Sequence, residues 1–444
     1  MAITTMIQEL VKATPFIDTH EHLIEESRRL AAPAAGDWLY PCNDWSYLFM
    51  HYTQEDLRVA GMSRDDLARF HAIDVDPADK WRLFEPYWPR VRHTGYGQAA
   101  MRSIQMLFGE AEVSAGNVTR ITDMMHELQR PGFYGHVLRE VAGVESCQVN
   151  SLEAIFCETA QPELLYQDLS TVQLGSGLDL PKLREQTGLP LETLRQGYEA
   201  IDWYFERYGA QAVATKNQSA YERRLNYDDV PAEVAAPLFE RHAAGRSLSA
   251  REMKALQDHL WRYTVACATA RGLPVKMHTG YYAGADRMPL DRVSRNLQDL
   301  CPILQDFPNT KFVLMHITYP YQDELLGLAK QYSNVHVDLC WAWILNPIAT
   351  KNFVKEFLVS APANKLLTFG GDFISVENVA GHASIARQGL ARALDELAAE
   401  GWLSESAALD LVEPLMRGNA WKLFNMEHKT SVARAKAAGL AAVA

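Results

Sequence analysis

Pro15-Phe-Ile-Asp-Thr-His-Glu-His-Leu23 is a short apolar run that closes on two histidines. Residues i and i+2 of a strand point to the same face. His20 and His22 can therefore turn both imidazoles toward one ion while Glu21 points away. Two histidines alone are weak grounds, because histidines also serve as hydrogen-bonded core residues. What decides the reading is whether the pattern recurs.

It recurs along the whole chain. Apolar runs read as strands at Pro15–Asp18, Gln211–Thr215, Pro274–Met277, Lys311–Met315, Asn334–Asp338 and Lys365–Gly370, with weaker ones at Ser146–Ser151 and Asp168–Leu174. Each is short and apolar, as a parallel strand covered on both faces must be. Helical patterns fall between them: Pro181–Tyr208 in two pieces broken near Gly188 and Pro190, Ser247–Arg271, Leu290–Leu304, Gln322–Tyr332 and Gly381–Ala399. Strand and helix in alternation imply a parallel sheet, and eight such units predict an α/β fold of the (β/α)8 TIM-barrel class. Glu405–Phe424 reads as extra C-terminal helices, and the Ala-rich end as a surface helix or a frayed tail.

One interval breaks the rhythm. After strand 1, residues 24–97 form a long stretch that holds Trp38, Tyr40, Trp45, Tyr47, Tyr52, Trp81, Tyr87 and Trp88. It reads as a largely helical insertion within a single domain spanning 1–444, placed on the face where barrel active sites form. A lid or pocket wall is one use for it; a packing or oligomer arm suits the same aromatic content, and a homo-oligomer is expected.

Composition bounds the partners. The 444 residues are 48% hydrophobic, ample for a large core, and carry a net charge of −12. That acidity argues against nucleic acid or an anionic membrane as partner and leaves a small-molecule substrate. No apolar run of about 18 residues is present, and the N-terminus lacks the basic head and apolar stretch of a signal peptide. Six scattered cysteines without a CxxC pattern fit reduced thiols in a cytoplasmic protein.

The chemistry lies at the strand ends. His278 closes Val-Lys-Met-His, His316 closes Phe-Val-Leu-Met-His, and Asp372 follows Leu-Leu-Thr-Phe-Gly-Gly. In a barrel these ends converge on one face. Four imidazoles and a carboxylate suit a divalent transition metal, zinc first, with Mn, Fe or Co also compatible, as one or two ions. Lys216 closes Gln-Ala-Val-Ala-Thr-Lys. A lysine ammonium has no lone pair and binds no metal, but burial can deprotonate it and the amine can add carbon dioxide to give a bridging carbamate. A lysine that binds a substrate carboxylate or pairs with an acid is an equal alternative from the residues alone.

The order His20, His22, Lys216, His278, His316, Asp372 resembles the amidohydrolase superfamily in its binuclear arrangement, and Arg417-Gly-Asn-Ala-Trp-Lys-Leu-Phe424 looks like that family's closing segment. Within it, Trp45-Ser-Tyr-Leu-Phe-Met-His-Tyr-Thr-Gln-Glu-Asp-Leu-Arg-Val-Ala-Gly61 and the following Phe84–Tyr96 stretch are similar to the insertion of uronate isomerases. Lys216-Asn-Gln-Ser-Ala-Tyr-Glu-Arg-Arg-Leu225 resembles the amidohydrolase-like domains fused to glutamine-synthetase-like proteins. Uronate isomerases lack the lysine and the strand-six histidine, so the presence of both favours hydrolysis.

The resemblance implies that His20, His22 and Asp372 hold one ion and His278 and His316 a second. A carboxylated Lys216 bridges them, a metal-activated water attacks, and Asp372 moves the proton to the leaving group. Tyr221, Arg224, Tyr281, Trp341, Glu377 and His382 are the substrate-binding candidates, with Arg223 and Trp343 behind them and His336 read as structural. The expected reaction is hydrolysis of an amide, lactone or related bond in a small polar, carboxylated substrate. A uronate-isomerase-like sugar-acid isomerase and a non-oxidative decarboxylase are the alternatives.

Overall fold

The computed structural model describes residues 5–171 and 178–441. Parallel strands alternate with helices along the chain, which is of the (β/α)8 barrel class. All eight predicted runs hold a strand: β1 (Phe16–Glu21), β2 (Val144–Val149), β3 (Leu165–Gln167) with β4 (Leu169–Ser170), β5 (Thr215–Asn217), β6 (Val275–Met277), β7 (Phe312–Met315), β8 (Val335–Asp338) and β9 (Leu366–Leu367). β4 falls in the predicted 168–174 run, whose later part lies outside the described residues, while β3 precedes that run and was not predicted.

The residues form two compact units, each interleaved in sequence: 1–149, 281–288 and 338–420 in one, 150–280, 289–337 and 421–444 in the other. In the first unit β1 pairs in parallel with β2, Phe16 opposite Val144 and Asp18 opposite Cys147. On its other edge β1 meets the chain after β9, through Thr19 N–Phe369 O (3.0 Å), Asp372 N–His20 O (2.9 Å) and His22 N–Phe373 O (2.9 Å). β1 is buried along its whole length, which is why its polar residues must find partners inside the protein. The approach is so close that a Cβ on Gly371 would stand 1.8 Å from Glu21 Oε1, so only glycine fits there.

Two long helices back this sheet. Gly95–Phe108 starts on a Thr94 N-cap and ends on left-handed Gly109. Val376–Ala399 packs against it at Gly381, where a Cβ would meet Ala99 O at 1.9 Å. The second helix begins five residues before the predicted Gly381, because Ser375 sits just after the site loop and the helix starts at once.

The insertion is helical, as expected, with segments at Glu26–Leu30, Trp45–Phe49, Thr53–Val59, Arg64–Phe70, Pro77–Phe84 and Trp88–Val91. Most of its aromatic residues build a core of their own. Trp45 lies 5.3 Å ring to ring from both Phe70 and Phe84, and Phe84 stacks on Trp88 at 5.0 Å.

In the second unit β4 to β7 pair in parallel in sequence order, Lys216 opposite Lys276 and Lys276 opposite Val313. β7 is buried at every residue. β5 begins at Thr215 rather than ending there, so Lys216 is mid-strand. The helices Leu180–Thr187, Leu194–Tyr208, Ala250–Ala270 and Gln322–Gln331 match the predicted ones, the second and third opening on capping boxes at Thr193 and Ser249. Ala232–Ala243 is an added helix that contains Pro237, a residue that normally argues against one. The C-terminal region is helical, Glu405–Glu413, Asn419–Leu423 and Met426–Ala441. All six cysteines are free thiols, and no described helix is long and apolar enough to cross a membrane.

Candidate metal centre

The first unit brings His20, His22 and Asp372 together. His20 Nε2 and His22 Nε2 are 3.3 Å apart, and Asp372 Oδ1 lies 3.1 Å from the first and 3.2 Å from the second. All three residues are buried. β1 supplies the histidines from alternate positions, as the period of two requires, and the backbone pairing of Asp372 N with His20 O sets the carboxylate beside them. The donor set fits a divalent transition metal: two imidazole nitrogens and a carboxylate oxygen, all buried, converge on one point.

A buried acidic layer stands behind this cluster. Asp18 Oδ1 accepts hydrogen bonds from His20 N (3.0 Å) and Gly371 N (3.3 Å), and Glu21 Oε2 accepts from Phe373 N (2.6 Å). Burial pushes the Asp18 carboxyl up to about 7 and Glu21 well above its usual range. Thr19 donates to Asp338 Oδ2 (2.7 Å), and Asp338 Oδ1 accepts from Cys340 N (2.9 Å), which fixes the start of the loop that carries Trp341.

Backbone conformation marks the same places. Asp372 has φ 62°, Trp341 66° and His51 69° in the first unit, and His316, Ile317 and Thr318 have φ of 62°, 46° and 54° in the second. Left-handed backbone at residues other than glycine costs on the order of 1–3 kcal/mol each and clusters at functional sites.

Sequence reasoning missed two residues here. Tyr52 donates its hydroxyl to Asp372 Oδ2 (2.6 Å) and stacks on Trp341 (4.7 Å). His51 stacks on Tyr52 (4.0 Å) and feels the charge of Asp372. Burial holds its imidazole down to about 3. Both lie in the insertion, where an aromatic pair among many gave no signal; the one hint was the His-Tyr dipeptide in the segment quoted for its resemblance.

The other candidates are distributed as follows. In the first unit Tyr281 sits edge-on to Trp341 at 5.7 Å. His382 is fully buried, with Nδ1 3.2 Å from Gly371 O, and burial lowers it to about 3, so it braces the glycine pair as a neutral ring. Glu377 is fully buried and both its oxygens are taken by the Arg29 fork at 2.7 and 2.9 Å. In the second unit His316 Nε2 lies 2.9 Å from His278 Nδ1, and the Tyr221 ring lies 4.5 Å from that of His278. Lys216 is buried in β5, on the strand face of Lys276 and His278. Lys276 itself is spent on Asp168, at 2.7 Å and fully buried. The Arg224 fork is engaged by Asp299, Nε to Oδ2 at 2.9 Å.

A family model described as Amidohydrolase matches residues 194–426, more than half the chain. Protein fluG of Emericella nidulans is 23% identical over 384 residues, covering 83% of this chain; the chain spans only 40% of that relative's length. Among solved structures, glucuronate isomerase from Caulobacter crescentus is 18% identical with a TM-score of 0.73, over 95% of this chain and 93% of that one. A protein provisionally named a metal-dependent hydrolase from Lactobacillus casei is 16% identical with a TM-score of 0.67, over 95% of this chain and 98% of that one. These likenesses show a shared fold.

Proposed function

The chain belongs to the amidohydrolase family, and from that membership we propose that it is a metal-dependent hydrolase that cleaves an amide, lactone or related bond in a small polar, carboxylated substrate. The observation that carries this reading is the convergence of His20, His22 and Asp372 within 3.3 Å of one another. Residues 1–444 are taken as one catalytic domain, with 24–97 as an insertion that lends Tyr52 to the site.

The cofactor is a divalent ion, zinc first. When bound it supplies Lewis acidity toward the scissile carbonyl and brings a water's pKa toward neutrality. The rest is the work of side chains. His20 and His22 would hold the ion, their Nε2 atoms being the ones that converge. Asp372 turns Oδ1 to them and takes the proton released on attack, passing it to the leaving group. Tyr52 pins the other carboxylate oxygen, so that the proton acceptor keeps one orientation. His278 and His316 are the proposed ligands of a second ion, with Lys216 as its carbamate donor. Tyr221, Tyr281 and Trp341 remain the proposed substrate contacts, since Glu377 and Arg224 already hold ion-pair partners.

The second reading is sugar-acid isomerisation, favoured by the name of the Caulobacter crescentus protein and by the similar insertion. Turnover by the metal-reconstituted protein of dipeptides, γ-glutamyl amides, lactones and uronates separates the two. Hydrolysis of one of the first three classes supports the proposal. Isomerisation of a uronate with no hydrolysis of the others overturns it.

A further inference from the structure

The first unit also holds a cavity near the N-terminal ends of β1 and β2 and therefore at the opposite end of β1 from the histidines. It lies between the helices Met6–Ala13 and Val376–Ala399 and the turn before β2, with a volume of about 750 Å³. That is the size of a small-ligand pocket. Lys12, Ser384, Arg387, Gln388 and Arg392 line it, and Glu140 is the one carboxylate among the lining residues.

The charges in it are not balanced. Arg102 reaches two of the lining residues, donating to Ser384 Oγ (3.2 Å) and Gln388 Oε1 (2.7 Å), both neutral. Burial, and then the like charge of Arg392, lowers the Arg102 pKa. Among the described residues neither arginine, nor Lys12, has a carboxylate partner. Glu140 is turned to His136 at 2.7 Å. Arg387 plays another part. It gives its donors to the carbonyls of Val11, Thr14, Ala142 and Gly143 and lies over the Phe16 ring, forming a fixed floor.

A chain of net charge −12 has carboxylates to spare, yet places none on this pair of guanidiniums. A guanidinium held in place by neutral acceptors, beside an exposed one with its donors left over, suits a ligand that brings its own negative charge. We propose that this cavity binds a small multivalent anion, a phosphate ester or a dicarboxylate, gripped by Arg102 and Arg392 with Lys12 on the opposite wall. The site is independent of the metal centre and of the reaction assigned to it.

Calorimetric titration of the full metal-loaded chain with inorganic phosphate, and separately with succinate, tests this at low ionic strength. Saturable binding of either probe is expected, and the probe that binds names the ligand class. Arg392→Glu, a substitution at an exposed position, should weaken it at least about tenfold, the loss of one charge-assisted contact. Arg102→Gln should do the same, while His20→Ala should leave it unchanged. No saturable heat with either probe overturns the proposal. So does binding that survives both arginine substitutions, or binding lost only in His20→Ala, which assigns the anion to the metal centre.

Discussion

The Tyr52 hydroxyl lies 2.6 Å from Oδ2 and 2.7 Å from the backbone oxygen of Asp372, a residue 320 positions further along the chain. The contact divides the carboxylate. Oδ2 is held by the phenol, and Oδ1 is left facing the two Nε2 atoms of His20 and His22. It also holds a backbone in the left-handed region, which an aspartate adopts only with support from its surroundings.

Tyr52→Phe should therefore lower kcat on the order of 10- to 100-fold, the worth of one hydrogen bond to a charged group. Metal content should stay at the wild-type level and KM should change little, because the proposed ligands are untouched. Unchanged kcat in a fully loaded variant would remove Tyr52 from the positioning role.

Asp372→Asn keeps the shape of the side chain and an oxygen for the metal but cannot take up the proton. Turnover should fall by roughly 10²- to 10⁴-fold with most of the metal retained. The pairing of metal analysis with kcat decides it. Near-normal turnover means that another group carries the proton.

The strands were legible because each is a short apolar run closed by a polar residue, and that signal is local. His20, His22 and Asp372 could be placed at strand ends for the same reason. Boundaries were less secure: Thr215 reads as a strand end by hydropathy, while the pairing with Val275 to Met277 carries the strand on through Lys216 to Asn217. Ala232–Ala243 was hidden by Pro237. Tyr52 and His51 could not be assigned to the site from the sequence, since their position depends on how the insertion folds onto a segment hundreds of residues away. The same limit applies to charged residues. A glutamate and an arginine look available in a sequence until the fold gives Glu377 to Arg29 and Arg224 to Asp299.

In the proposed two-ion site, Lys216 is the residue on which the second ion depends. It is fully buried in β5, and its strand neighbour Lys276 is neutralised by Asp168 while Lys216 lies one strand away on the same face. Lys216→Ala should lower the metal content from two ions per chain toward one, with turnover falling in step. Two ions and full activity in that variant would rule out the carbamate.

The Arg29–Glu377 pair makes a structural prediction. Both side chains are buried, and the Arg29 guanidinium also lies 4.4 Å from the centre of the Tyr47 ring. Glu377→Ala leaves a guanidinium without its counter-charge and should cost about 3–5 kcal/mol in urea unfolding. The double variant Arg29→Met/Glu377→Leu should recover part of that loss. A cost below about 1 kcal/mol combined with a raised KM would instead assign Glu377 to the substrate.

His71 should make stability depend on pH. It is buried at the end of the Arg64–Phe70 helix, neither ring nitrogen has a hydrogen-bond partner among the described residues, and burial pushes the imidazole down to about 3. The folded chain therefore keeps the ring neutral, whereas the unfolded chain takes up a proton below its ordinary value near 6.5. The unfolded state binds more protons in that window, so stability falls as pH drops from about 6.5 toward 3. His71→Leu keeps the volume, loses no hydrogen bond and removes the titration. Its unfolding free energy should gain on wild type progressively from pH 6.5 to pH 4.5, and the two proteins should differ little at pH 8. A constant difference across that range would mean that the imidazole is not held neutral by burial.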